Sequence, residues 1–281
     1  GGMIVSPYNR KMQPKAMRIY RFLLSCFIII VFCRGNEVSA QILKRPVPDH
    51  LIVLSFDDAA SSHYHIVAPI LKKYHFSATF FVCEFPPDFR DTTKYMTWDE
   101  IRQLNSMGFE IGNHTRDHIR LSRMDAPKLD SELAYIEQKC REYRIPRPVS
   151  VAYPVWDGAP YAMAVLKKRG YLFARAGGNR PYDPRKDNPY LIPSYNEAAT
   201  DSAKMIGIFQ QAKDGKIVVL TIHGVPDKAH SWVNTPPERF EGYMKYLHDN
   251  HYTVIAVRDL GKYVNVKKAL REITPVFPVK K

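Results

Sequence analysis

Three apolar runs of this chain end in groups that could do chemistry. Leu51-Ile52-Val53-Leu54-Ser55-Phe56 stops at two adjacent carboxylates, Asp57 and Asp58. Phe109–Gly112 leads into His114-Thr115-Arg116-Asp117-His118, and Ile217–Ile222 runs into His223. Two acids at the carboxyl end of a buried parallel strand sit where α/β enzymes place their active groups. A loop there can turn both towards one pocket, so that one binds a cation and the other acts as base. The plainer reading is that they cap the next helix. Histidines at i and i+4 share one face of a helical turn and can reach one metal. Two imidazoles and one carboxylate leave a coordination position open, the composition of a catalytic zinc centre rather than a closed structural one. A histidine pair can equally be surface decoration, and His223 a satisfied core residue. Three strand ends carrying these groups together supply a base, a metal site and an acid.

The elements that must position them alternate. Strands are expected at Ile52–Phe56, Ala78–Val82, Phe109–Gly112, Ser150–Ala152, Tyr171–Ala174, Ile217–Ile222 and Thr253–Val257, with a weaker one near Tyr190–Ile192. Helices are expected at His65–Tyr74, Trp98–Met107, Ala126–Tyr143, Ala159–Lys168, Ser202–Lys213 and Pro237–Asn250. Seven or eight β-α units argue for an α/β barrel on parallel strands. An open doubly wound sheet is the alternative, without a glycine-rich phosphate loop to support it.

Residues 17–41 have the pattern of an export signal. Arg18 and Arg21 precede the apolar run Phe22–Phe32, and Val38-Ser39-Ala40 places small residues before Gln41. The expected organisation is therefore an extension and signal peptide over 1–40 and one catalytic domain over 41–281, exported to the periplasm, envelope or exterior. An uncleaved segment would be the only route to a membrane. The formal charge of +13 includes six basic residues and one acid within 1–40, which leaves +8 on the remainder. A basic exported protein suits an anionic envelope or polysaccharide. No stripe of basic residues interleaved with aromatics points to nucleic acid. Beyond residue 40 only Cys83 and Cys140 remain, both in apolar settings, so core packing is expected, with a disulfide between them as the alternative.

These residues resemble the polysaccharide deacetylases of the NodB-homology type, carbohydrate esterase family four. The first family motif, Thr/Ser-Phe-Asp-Asp-Gly, stands here as Ser55-Phe56-Asp57-Asp58-Ala59, and the second, His-Ser/Thr-x-x-His, as His114-Thr115-Arg116-Asp117-His118. Order and spacing agree over roughly residues 50 to 260. The resemblance implies a distorted (β/α) barrel and removal of acyl groups, usually N-acetyl from amino sugars, with Asp57 as base, Asp58, His114 and His118 as metal ligands, and His223 as the acid that protonates the leaving amine. It implies one divalent metal, with Zn the first expectation and Co, Ni or Mn fitting the same ligands.

The third motif departs from the family. Val151-Ala152-Tyr153-Pro154-Val155-Trp156 keeps the proline but has Ala152 where the family has an arginine. Arg175, at the end of the neighbouring strand, is the candidate replacement, against a simple surface arginine. No fourth-motif acid is evident, although Asp183 and Asp187 lie nearby. The leucine usual two residues before His223 is absent. Pro154, Val155, Trp156 and Trp232 are the candidate substrate contacts, and the Pro-rich segments Phe85-Pro86-Pro87 and Asn179 to Pro193 would shape the groove. The expected partner is a polysaccharide or oligosaccharide, bound by a monomer. A carbohydrate-binding protein with weakened catalysis and a hydrolase of small non-sugar amides are the other readings.

Overall fold

Strand β1 (Leu51–Phe56) is buried along its whole length because both of its faces are covered. Ile52, Leu54 and Phe56 join a cluster with the helical residues Leu71, Ile101 and Met244, whereas Leu51 and Val53 join another with Phe81, Phe173 and Val219. Successive residues of a strand face opposite sides, and a strand covered on both reads as an unbroken apolar run.

The structure, a computed structural model, describes Gly2 and residues 42–277, so the expected export segment lies outside it. From Ile42 onward the chain forms one compact unit. The other strands are β2 (Thr79–Val82), β3 (Glu110–Asn113), β4 (Ser150–Ala152), β5 (Phe173–Arg175), β6 (Tyr195–Asn196), β7 (Val218–Ile222) and β8 (Thr253–Ile255). They lie in the order β5-β4-β3-β2-β1-β7-β6, all parallel. One edge of β1 is taken by β7. The other is divided, with Leu51–Val53 paired to β8 and Ser55–Phe56 paired to β2. Ile192 bridges to Arg175 of β5, and the chain then continues into β6. The sheet thereby curls into the distorted (β/α) barrel expected from the sequence.

Helices α1 (Ala68–Lys73), α2 (Trp98–Ser106), α3 (Ala126–Glu142), α4 (Ala162–Arg169), α5 (Ser202–Phe209), α6 (Pro237–Asp249) and α7 (Val266–Glu272) follow or flank the strands. Their starts are chemically marked. Thr97 and Glu100 form a reciprocal capping box on α2, and Asp125 and Asp201 accept the backbone N–H groups of Lys128 and Lys204.

Several expectations need correction. The weak strand near Tyr190–Ile192 is displaced to Tyr195–Asn196, because Ile192 makes only an isolated bridge. The helix expected from His65 begins instead as a π-helical turn, His63–Val67, before α1. That turn has no side-chain cap, so the adjacent acids are not helix caps. Cys83 and Cys140 are free and buried, as the core reading required.

At the amino ends of the strands, Glu110 closes the barrel with a polar knot. Its buried carboxylate accepts bonds from Thr79 Oγ1 (2.6 Å), Ser150 Oγ (2.6 Å) and the Arg258 N–H (2.8 Å). Burial nevertheless holds its pKa above the ordinary glutamate value. Gly112 on β3 lies against the Phe81 ring, where an added Cβ would meet Cδ1 at 2.4 Å. Gly112→Ala is expected to cost about 1–3 kcal/mol through overpacking, read as a lower urea midpoint at unchanged slope.

His63 is fully buried, and its Nε2 donates to the His223 carbonyl at 3.0 Å. Burial lowers its pKa to about 4. The unfolded chain takes up this proton near pH 6.5 while the folded chain does not. The neutral ring therefore contributes its full stability above about pH 6.5, and loses it as pH falls towards 4. The contribution is of order 3 kcal/mol. In chelator, the stability difference between wild type and His63→Gln should shrink steadily from pH 7 to pH 4.5; a constant difference would contradict this assignment.

Candidate active site

The period of two that builds the core also aims the site. Val53, Ser55 and Asp57 follow one face of β1, Gly112 and His114 one face of β3, and Thr221 and His223 one face of β7. Phe173 and Arg175 do the same on β5. The lower residues of these columns are in the barrel interior, so the polar groups emerge together at the carboxyl ends of the strands. Asp58 breaks the alternation. It and Ala59 have φ of 74° and 52°, a left-handed bend costly for non-glycine residues, and the bend brings the second carboxylate back over the barrel mouth. Ala59 occupies the position at which the family motif carries glycine.

Asp58 Oδ1 lies 3.4 Å from both His114 Nε2 and His118 Nε2. His114 Nδ1 donates to the Ala152 carbonyl at 2.8 Å. A carbonyl only accepts, so Nδ1 carries a proton and Nε2 is the ring atom left to face Asp58. The ligand atoms of Asp58, His114 and His118 all lie within 4.8 Å of one another. Two imidazoles and a carboxylate, one ring already oriented from behind, fit a divalent cation with room for a further ligand. The charge pattern agrees. Burial alone would raise the Asp58 pKa, but the imidazoles of His114, His118 and His223 hold it far below the usual range. Burial and the neighbouring His114 lower His118 to about 4, whereas Asp57 and Asp58 overcome the burial of His114 and raise it.

The histidine pair is not on a helical turn, contrary to the expectation from its spacing. Thr115 and His118 adopt φ of 65° and 54°. The amides of Arg116 and Asp117 donate to Glu132 Oε2 on α3 at 2.9 and 2.7 Å. The i, i+4 spacing succeeds here because the loop curls back, not because a helix repeats.

Arg175 is fully buried. One end of its guanidinium donates to Asp57 Oδ2 and the other to Thr221 Oγ1, with Ser194 Oγ at 3.4 Å. Arg175 and Ala152 are partners in the β4–β5 ladder, so the guanidinium enters from the strand beside the one where the motif would carry it. Asp57 Oδ1 has no protein partner. His223 Nε2 stands 3.9 Å from Asp58 Oδ2.

A cleft of about 450 Å³ opens above these groups, walled by Phe85, Val155, Trp156, Asn196, His230 and Trp232 among others. Val155 and Trp156 are presented by a tight turn with φ of 52° and 57°, pinned by Asp157, which accepts bonds from the Ser122 N–H and hydroxyl. Pro154 is buried beneath that turn and does not line the cleft. Trp232 stands 76% exposed at the rim. Asp183 and Asp187 are engaged with Arg185 and Arg180. The buried acid on the His223 side is instead Glu197, paired with Arg239 and accepting from Thr235. Glu197 follows β6, and the misplaced strand concealed it. His230 was also missed, since it lies on an irregular loop with no periodic signal, whereas Phe85, from a segment expected to shape the groove, does line the cleft.

Residues 44–174 match the family model described as polysaccharide deacetylase. YxkH of Bacillus subtilis (strain 168), whose name assigns it provisionally to the polysaccharide deacetylases, is 24% identical over 137 residues, 48% of each chain. The match therefore spans about half the length of that relative. Among solved structures, a family 4 acetyl xylan esterase from Clostridium thermocellum in complex with a cobalt ion is similar in fold, with TM-score 0.55 and 21% identity over 82% of this chain and 100% of the other. So is BA3943, a CE4 family pseudoenzyme from Bacillus anthracis, with TM-score 0.54 and 13% identity over 78% and 67%. At such identities the two structures speak to the fold alone. The match to the polysaccharide deacetylase model and the paired motifs Asp57-Asp58 and His114–His118 thus coincide over residues 44–174, which span the first four strands of the barrel and reach into the fifth.

Proposed function

We propose that the protein is a metal-dependent hydrolase that removes N-acetyl groups from an amino-sugar polymer such as peptidoglycan, a chitin-like chain or an exopolysaccharide, with O-acetyl removal open to the same machinery. The observation that carries this reading is the buried Asp57, with one oxygen held by Arg175 and the other unpartnered beside the Asp58, His114 and His118 donor set.

A divalent cation held by Asp58, His114 and His118, with Zn first and Co, Ni or Mn as alternatives, would polarise the acyl carbonyl and acidify water. Asp57 Oδ1 takes a proton from the attacking water as the new carbon–oxygen bond forms. Arg175 fixes the carboxylate plane and keeps the base oriented. His223 gives a proton to the nitrogen as the carbon–nitrogen bond breaks, because an amine leaves poorly without one. Acetate and the free amine are the products. Trp156 and Trp232 offer apolar faces for sugar rings. A smaller recess of about 190 Å³, bounded by Trp156, Asn179 and Asn196 among others, continues the cleft, which favours a chain of several sugars over a single ring. Export rests on the 17–41 segment; among the described residues no helix is long and apolar enough to cross a membrane.

Acetate release from acetylated chito-oligomers and peptidoglycan fragments tests the reading. Chelation should abolish it and metal should restore it. Asp57→Asn should then lower kcat by about 10²–10⁴-fold, the usual contribution of a general base, without loss of bound metal. Absence of acetate from any polymer despite bound metal would favour binding without turnover, a reading suggested by the pseudoenzyme of the same fold. Release from small amides alone would point to a non-sugar substrate.

Arg175→Lys keeps a charge but cannot span Asp57 and Thr221 together. It should lower kcat at least tenfold with KM little changed, and unchanged turnover would remove Arg175 from the mechanism.

A further inference from the structure

The loop after β7, residues 224–235, carries more internal bonding than a connection needs. The Asp227 carboxylate accepts the N–H groups of Gly224 (3.0 Å), Ala229 (3.0 Å) and His230 (2.6 Å). Asn234 Oδ1 accepts the Asp227 N–H, and the Thr235 N–H returns to the Gly224 carbonyl. Ser62 Oγ accepts the Val225 N–H, and Glu197 holds Thr235 from below. The loop closes on itself so tightly that a Cβ at Gly224 would lie 2.4 Å from Asp227 Cα.

The product of this bonding is one imidazole held over the cation site. The His230 ring packs against Phe85 (5.1 Å between centroids), Trp232 (5.3 Å) and Tyr95 (6.3 Å). Its Nδ1 lies 3.5 Å from Asp58 Oδ2 and 3.8 Å from Asp227 Oδ1. His230 is outside the group of ligand atoms that lie within 4.8 Å of one another, so it does not complete a single-cation cage. It faces the Asp58 oxygen that His114 and His118 do not. His223, the other imidazole near that oxygen, stands farther away at 3.9 Å.

We propose that His230 is the positioning residue of the Asp58 carboxylate: its Nδ1–H donates to Oδ2 and so presents Oδ1, with the His114 and His118 nitrogens, to the cation. This rests on the assignment of Asp58 as a metal ligand. A carboxylate that ligates through one oxygen can rotate or swing to two-oxygen binding, and a donor on the second oxygen fixes it. Such outer partners set metal affinity by about 10- to 100-fold. Both candidate acceptors of Nδ1 are carboxylates, so the required tautomer is favoured whichever of them it meets.

Zinc titration of the metal-free protein by calorimetry tests this independently of turnover. His230→Ala should weaken zinc binding by about 10- to 100-fold. His230→Asn, whose amide nitrogen falls where Nδ1 does, should restore it to within about threefold of wild type, while His230→Gln, which reaches past that point, should not. The Asn and Gln variants are both polar and differ only in reach, so a difference between them is not a folding effect. Equal zinc affinity in all three variants and wild type would overturn the inference, as would a loss in His230→Ala that Asn fails to restore. A wild-type protein that binds no zinc, cobalt, nickel or manganese would instead overturn the underlying metal assignment.

Discussion

One buried guanidinium ties the structure together. Arg175 leaves β5, passes over the Phe81 ring at 5.4 Å, and bonds Asp57 beyond β1, Thr221 on β7 and Ser194 on the approach to β6. A charge with no exposed surface is tolerable only when it is paired and hydrogen-bonded. Removing one partner of such a pair generally costs about 3–5 kcal/mol. The pair is therefore a constraint on geometry more than a net source of stability, since a well-packed apolar replacement can serve a core equally well. What it supplies is a fixed orientation for Asp57, which no apolar side chain could give.

The two ends of the barrel use buried carboxylates in opposite ways. At the amino ends, Glu110 is satisfied from three sides. At the carboxyl ends, Asp57 keeps one oxygen unpartnered and Asp58 is ringed by imidazoles. Left-handed backbone recurs around the opening: Asp58, Ala59, Phe85, Thr115, His118, Val155 and Trp156 all have positive φ and lie at or beside the cleft. Strain of this kind persists where surrounding contacts over-determine the backbone, and here Glu132 and Asp157 provide such contacts.

Most of the barrel was legible because its strands are covered on both faces and therefore read as apolar runs, Leu51–Phe56 most clearly. Asp57, His114, Arg175 and His223 were legible as strand-end groups whose side is fixed by the period of two. The limits had physical causes. Tyr190-Leu191-Ile192 is more apolar than Tyr195-Asn196, so composition favoured the wrong strand and hid Glu197. The curl of His114–His118 depends on positive φ at two non-glycine residues and on a carboxylate from α3, neither of which spacing reveals. Phe85, His230 and Trp232 meet only because separate loops fold over one opening, and no local pattern encodes that meeting.

The divided edge of β1 has a consequence for how the chain reaches this state. The upper half of that edge is closed by β2, a near neighbour in sequence, but the lower half waits for Thr253–Ile255. Contacts so distant along the chain form late, and an unpaired strand edge invites association with other chains. During synthesis β1 thus stays half open until Thr253–Ile255 has emerged, about two hundred residues later. A nascent or truncated chain that stops before Thr253 would present that edge to chaperones, or to its own copies.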